Sequence, residues 1–236
     1  MISKDSILNS IPLEMRRKDI FILEGIRYAS NILDITFKNL EQTLLKTSNS
    51  EESHKTDFYT IFKEAWSFID FSWKLRNILI LLEMEEDKKN HEKNNSIDIS
   101  FLEQTKDFRN TFQHLDDRIN EVIVIENAYV WGTLSWLYMN EAPTVMSFSI
   151  AAGVPRGSAN IINPIGERIK LPISHITLDS INRGKKKISI NLSELYEKIK
   201  ILIENFEMII TPQIEAMDNS KKHGQDLKVK IVMKMN

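Results

Sequence analysis

The hydrophobic period of this chain changes after Asn127 and changes back at Asn191, and that pattern restricts the folds open to it. Up to Asn127 apolar residues recur every three to four positions, as on the buried face of a helix. Between Trp131 and Ile190 aromatic and β-branched residues gather in short runs bounded by turn residues, as in strands. Helical spacing then returns. Helices interrupted once by a block of strands make an α+β protein.

The first helical stretch runs from about Ile11 to Lys46, with Ile20, Leu23, Tyr28, Ile32, Ile35, Leu40 and Leu44 on its apolar side. Thr47 to Lys55 is polar and reads as a loop. A second helix is expected over 57–86, with Asp57 as its N-cap and Phe58, Phe62, Ile69, Trp73 and Leu79 on its buried side. The charge run Glu85 to Asn95 reads as a solvated connector. A third helix is expected over 100–126. Ser100-Phe101-Leu102-Glu103 has the form of a capping box, and Phe101, Phe108, Phe112, Leu115 and Ile119 trace one buried stripe. Trp131 to Met139, Thr144 to Ile150, Ile173 to Leu178 and Lys187 to Ile190 read as an antiparallel sheet, with Trp131 and Trp136 in its core. Pro143, Gly153, Gly166 and Asn182-Arg183-Gly184 supply the turns. Asn191-Leu192-Ser193-Glu194 opens a last long helix that is expected to stop near Pro212. Val229 to Met233 in the tail either adds an edge strand or frays.

The expected fold class is therefore mainly α within α+β: a four-helix bundle with a small antiparallel β insertion between the third and fourth long helices. Residues 1–128 would hold the first three helices, 129–190 the insertion, 191–217 the fourth helix and 218–236 a polar tail.

Composition narrows the function. With 31 basic and 33 acidic residues the net charge is −2, so any contact with nucleic acid rests on a local patch and not on a basic field. The absence of cysteine excludes disulfides, zinc ribbons and thiol nucleophiles. No apolar run approaches the roughly 20 residues of a membrane span, and Met1 to Ser10 does not read as a signal peptide, so a cytoplasmic protein without membrane contact is expected. His54, His91, His175 and His223 lie in different segments without ligand spacing, so neither a metal nor another cofactor is expected.

The chemistry is concentrated in Phe108-Arg109-Asn110-Thr111-Phe112-Gln113-His114-Leu115-Asp116-Asp117-Arg118. A guanidinium grips phosphate bidentately and stays charged. An imidazole can take a proton from a 2′-hydroxyl and return one to a leaving oxygen. Arg109 with His114 is thus a minimal kit for cleaving RNA without a metal, and Asn110, one turn before His114, can fix the ring or touch phosphate. On one straight helix Arg109 and His114 lie about 140° apart, so a composite site calls for a second copy of the chain.

An Arg, a polar residue and a His four positions further on, on a late helix of a helical bundle, resemble the motif of the HEPN superfamily, here Arg109, Asn110 and His114. The resemblance covers roughly residues 11–126 and 191–217. It implies a metal-independent endoribonuclease, of the kind that serves as a toxin, in phage defence or in RNA processing, and a homodimer in which two motifs share a cleft. The β insertion is not part of the common pattern. Arg76, set with Asp70 and Asn77 in the aromatic run of the second helix, is expected with Arg118 to contact the RNA. An internal polar pair that locks helix register is the plainer reading of the Asp70, Arg76 and Asn77 group; for Arg109 and Asp116 it is surface pairing with neighbouring charges, and for His114 and Arg118 a rim feature with Asp117. Lys185-Lys186-Lys187 reads as a charged hairpin tip, and 153–158 as a loop with a weak anion-binding look. The rival function is a non-catalytic HEPN-like dimeric module that binds a protein or nucleotide partner; a small-molecule sensor at the sheet–helix junction is a third.

Overall fold

A computed structural model describes residues 1–12, 14–50, 57–86, 97–123, 125, 129–153, 162–165, 169–170, 172–182, 184–217, 226, 228–231 and 233. Helix α1 (Arg17–Ser48) and helix α2 (Phe58–Glu86) form an antiparallel hairpin in which Phe37 meets Phe68 and Gly25 meets Ile78. Ile22, Ile26, Leu33, Phe37, Leu40 and Leu44 give α1 its buried stripe. The expected cap of α2 is present: the Asp57 carboxylate accepts from the Thr60 N–H at 3.0 Å.

The third helical segment is not one rod. It consists of a 3-10 turn (Ser100–Gln104), helix α3 (Thr105–Gln113) and helix α4 (Leu115–Val122), joined at His114 with φ −115° and ψ 45°. Ser100 is not the capping side chain; its own N–H donates to the Asp98 carboxylate at 2.9 Å. The single buried stripe also fails past Phe112. α3 is held on one side by Trp66 and on the other by a hydrogen bond from Thr111 Oγ1 to the Ile181 carbonyl, 3.3 Å. Beyond the break α4 buries Val122 but leaves Ile119 53% exposed.

Strands β1 (Thr133–Tyr138), β2 (Met146–Ala151), β3 (Ile173–Ile181) and β4 (Lys187–Asn191) form an antiparallel sheet in the order β2-β1-β3-β4. Register sorts its faces. Leu134, Trp136, Leu178 and Ile190 join the core, while Ser135 pairs with Ser149 and Thr177 on the other face. Trp136 Nε1 donates to Ser48 Oγ at 2.8 Å and the Tyr138 hydroxyl to Asn49 Oδ1 at 2.5 Å, which pins β1 to the end of α1. At the β3–β4 turn Asn182 Oδ1 accepts from the Gly184 and Lys186 amides, each at 3.0 Å, and the lysines after it are exposed.

Helix α5 (Leu192–Glu215) follows β4 directly, with Asn191 accepting from the Glu194 N–H at 3.1 Å as its spacing predicts. It packs chiefly on β3 and to a smaller extent on α1. The helix passes the expected stop at Pro212, because Ile214, only 1% exposed, seats the extra turn in the core. A polar pin joins α5 to α1. The Tyr196 hydroxyl donates to Asp34 at 2.5 Å, and Lys38 and the amino group of Met1 reach the same carboxylate at 2.7 and 2.8 Å. Burial alone raises the Asp34 carboxyl, but these hydrogen bonds outweigh it and bring its pKa down to about 2. Burial and the neighbouring Asp34 push the Tyr196 phenol up.

Among the described residues no helix is long and apolar enough to cross a membrane. The described tail residues 228–231 and 233 form no strand and are exposed.

Candidate functional site

α2 and α3 run antiparallel, and their contacts fall on successive rungs. Trp66 stacks on Phe112 with centroids 5.1 Å apart and planes 14° from parallel. One turn along, Asp70 faces Arg109, with Oδ1 4.0 Å from Nε. Further on, Arg76 pairs with Glu103. Aromatic residues on this face of α2 set the rungs: Trp66 is 1% exposed, and Trp73 carries the Arg76 guanidinium 4.6 Å from its ring centre.

The rungs differ in how firmly they hold their charges. Arg76 bonds Glu103 and also donates to Asn77 Oδ1 at 3.2 Å. Among the described residues Arg109 has one long contact, to Asp70, which is more tightly held by Lys74 at 2.6 Å. The buried Nε atoms of both arginines make no hydrogen bond, and the Arg109 side chain is 32% exposed against 18% for Arg76. The arrangement leaves the guanidinium oriented by Asp70 and open on its outer side.

Asn110 is exposed on the next position of α3, and His114 is exposed at the α3–α4 break. Among the described residues no side chain hydrogen-bonds either of them. Because the helix breaks at His114, the azimuth of a straight helix does not fix the placement of its ring relative to Arg109. The corner therefore gathers a partly held cation, an amide and an imidazole, all reaching solvent. Arg118 lies on α4, and its side chain falls outside the described residues, as does the loop over 154–158. Arg76, expected at the RNA, is more firmly paired than Arg109; it locks α2 against α3 as a polar pair set among aromatics does.

Trp131 was legible as an aromatic but not as part of this corner. It precedes β1, is 39% exposed, and lies against Phe112 with centroids 5.7 Å apart. The Trp66 indole N–H donates to its carbonyl at 3.1 Å. Glu103 was read as a capping residue and not as the partner of Arg76; an antiparallel register in which Trp66 meets Phe112 is the signal that places it. On α4 and at its C-terminal end Ile119 and Ile123 are 53% and 71% exposed.

No family model matches this chain, and neither a curated protein nor a solved structure is similar to it.

Proposed function

We propose that this chain is a HEPN-like, metal-independent endoribonuclease that works as a homodimer, in a toxin or phage-defence role. The observation that carries the reading is the state of the α3–α4 corner. Asn110 and His114 are exposed without a hydrogen-bonding side chain among the described residues, and Arg109 keeps one long ion pair at 4.0 Å. Exposed at the corner, these side chains are available to a ligand.

In this mechanism the Arg109 guanidinium binds the scissile phosphate through its outer N–H groups while Asp70 orients it. One His114 imidazole removes the proton of the adjacent 2′-hydroxyl. That oxygen attacks phosphorus, the bond to the 5′-oxygen breaks, and an imidazolium returns a proton to the departing oxygen. Asn110 supports the phosphate or the ring. The products carry a 2′,3′-cyclic phosphate and a free 5′-hydroxyl. The second copy supplies the partner motif, and the exposed Ile119 and Ile123, on α4 and at its end, are apolar side chains it would cover.

The decisive experiment incubates single-stranded RNA with wild type and His114→Ala in EDTA and examines the new ends. Cyclic phosphate from wild type and its loss in the variant are expected. Full activity in His114→Ala, or activity only with an added divalent metal, rejects the mechanism.

A second reading is favoured by one observation. Arg109–Asp70 and Arg76–Glu103 occupy successive rungs between α2 and α3. If these pairs only lock the helices, the chain is a non-catalytic dimeric module that binds a protein or nucleotide partner. Wild type that dimerises and leaves RNA intact selects this reading.

A further inference from the structure

Three rings lead from the core to the surface beside Arg109. Trp66 is 1% exposed and stacks on Phe112; Phe112 meets Trp131; Trp131 is 39% exposed. Arg109 and Phe112 are three apart on α3, so their side chains leave the same side of the helix about 5–6 Å apart at Cβ. Trp131 lies one further ring away. The outermost ring thus lies against the i+3 neighbour of Arg109, within the span of a short stretch of single-stranded RNA.

Trp131 is also held in place. Its carbonyl accepts from Trp66 Nε1 at 3.1 Å, and the next residue, Gly132, donates its N–H to the Tyr129 carbonyl at 3.0 Å. Gly132 has φ +83°, and a Cβ there would lie 2.3 Å from the Asp179 carbonyl oxygen. The backbone therefore turns into β1 along one path, and the Phe112 ring backs the indole that it presents. An aromatic ring that is rigidly backed and partly open binds a nucleobase at little cost in side-chain entropy.

We propose that Trp131 is a base-stacking platform that seats one nucleobase of a single-stranded RNA while Arg109 holds a phosphate of the same strand. The proposal rests on the RNA reading given above and deepens it by naming how the substrate is gripped. Stacking depends on the area of the base and not on its hydrogen-bonding edges, so the site favours purines.

The test measures fluorescence anisotropy of labelled oligoadenylate and oligouridylate on His114→Ala, which leaves the strand uncut, and on the same protein carrying Trp131→Leu or Trp131→Phe. Leu keeps an apolar side chain against Phe112 and removes the aromatic face; Phe keeps a smaller face. Tighter binding of oligoadenylate, weakened about 10-fold or more by Trp131→Leu and retained in large part by Trp131→Phe, is expected. Circular dichroism matching that of the parent shows that the Leu variant is folded. If it is not, protection of Trp131 from oxidative labelling by bound oligoadenylate is expected in the His114→Ala parent, and its absence overturns the platform. Equal affinity for both oligonucleotides with no effect of Trp131→Leu also overturns the platform and leaves the RNA reading standing. Absence of binding to either oligonucleotide defeats both.

Discussion

On α1 the Asp34 carboxylate is gripped by Tyr196 at 2.5 Å and Lys38 at 2.7 Å. On α2 the Asp70 carboxylate holds Lys74 at 2.6 Å but leaves Arg109 at 4.0 Å. Both acids sit on long helices and face a neighbouring element, yet one closes its network and the other leaves it open. The α1–α5 contact spends its polar groups on a fixed geometry, with the Tyr196 ring stacked 4.1 Å from Phe37. The α3–α4 corner spends its aromatic residues on geometry and keeps its polar ones loose. The contrast separates side chains that make the fold from those it presents.

A graded set of measurements breaks or sharpens this contrast. The largest effect is expected where the corner itself is structural. Trp66→Ala removes the ring under Phe112 and the donor to Trp131, and should cost about 3–5 kcal/mol in urea unfolding. A loss under about 1 kcal/mol would mean that the corner does not depend on its aromatic base. Next comes His114→Ala. It should leave the melting temperature unchanged and lower RNA cleavage by about 10²-fold or more; Arg109→Lys should recover little of the activity lost in Arg109→Ala, because the fork geometry is gone. A variant that melts early would move His114 to the structural side.

The α1–α5 pin should be felt in stability alone. Tyr196→Phe keeps the ring on Phe37 and removes the donor to Asp34, at about 1–2 kcal/mol. The pin also predicts a pH dependence. Asp34 titrates near 2 in the folded chain, below the roughly 3.9 of an unfolded aspartate. Its stabilisation is therefore complete above about pH 4 and is lost as the pH falls through about 2, with up to about 2 kcal/mol at stake. Asp34→Asn should flatten that part of the acid-unfolding profile; an unchanged slope would show that the pin carries no charge coupling. The smallest effect belongs to Asp70→Asn, under about 1 kcal/mol for a long and partly exposed pair. A cost as large as that of Tyr196→Phe would place Arg109 among the structural residues.

Much of the architecture was legible because the elements are written in local code. Asp57 and Asn191 cap the helices they were expected to cap, and the strands fall within or close to the aromatic and β-branched runs between the turn residues. The break at His114 was not legible. Gln113-His114-Leu115 contains neither Gly nor Pro, and the apolar spacing through Ile119 fits an unbroken helix; only the tertiary hold on Thr111 and Phe112 shows where α3 ends. The passage of α5 beyond Pro212 has a similar origin, since the buried Ile214 is a long-range contact. At the site, the sequence named Arg109, Asn110 and His114 but could not say which arginine would be consumed. That depends on the α2–α3 register, which gives Arg76 a full partner in Glu103 and Arg109 a partial one in Asp70. Trp131 was placed in the sheet because its neighbours read as a strand, whereas the strand begins at Thr133.

Gly132 carries a consequence for how this chain tolerates change. Its positive φ is strained for any other residue, and the Asp179 carbonyl fills the space where a Cβ would go. Position 132 is therefore a one-letter site, and in a library that samples every amino acid there, selection for folded protein should return glycine alone. The residue has no chemistry of its own, yet it is the shared hinge pin of sheet and corner: a methyl group added there pushes the start of β1 away from β3 and carries Trp131 with it. A genetic screen for lost function would then find this glycine through loss of folded protein, and a solubility assay would tell that kind of loss from one at the chemistry proposed for His114.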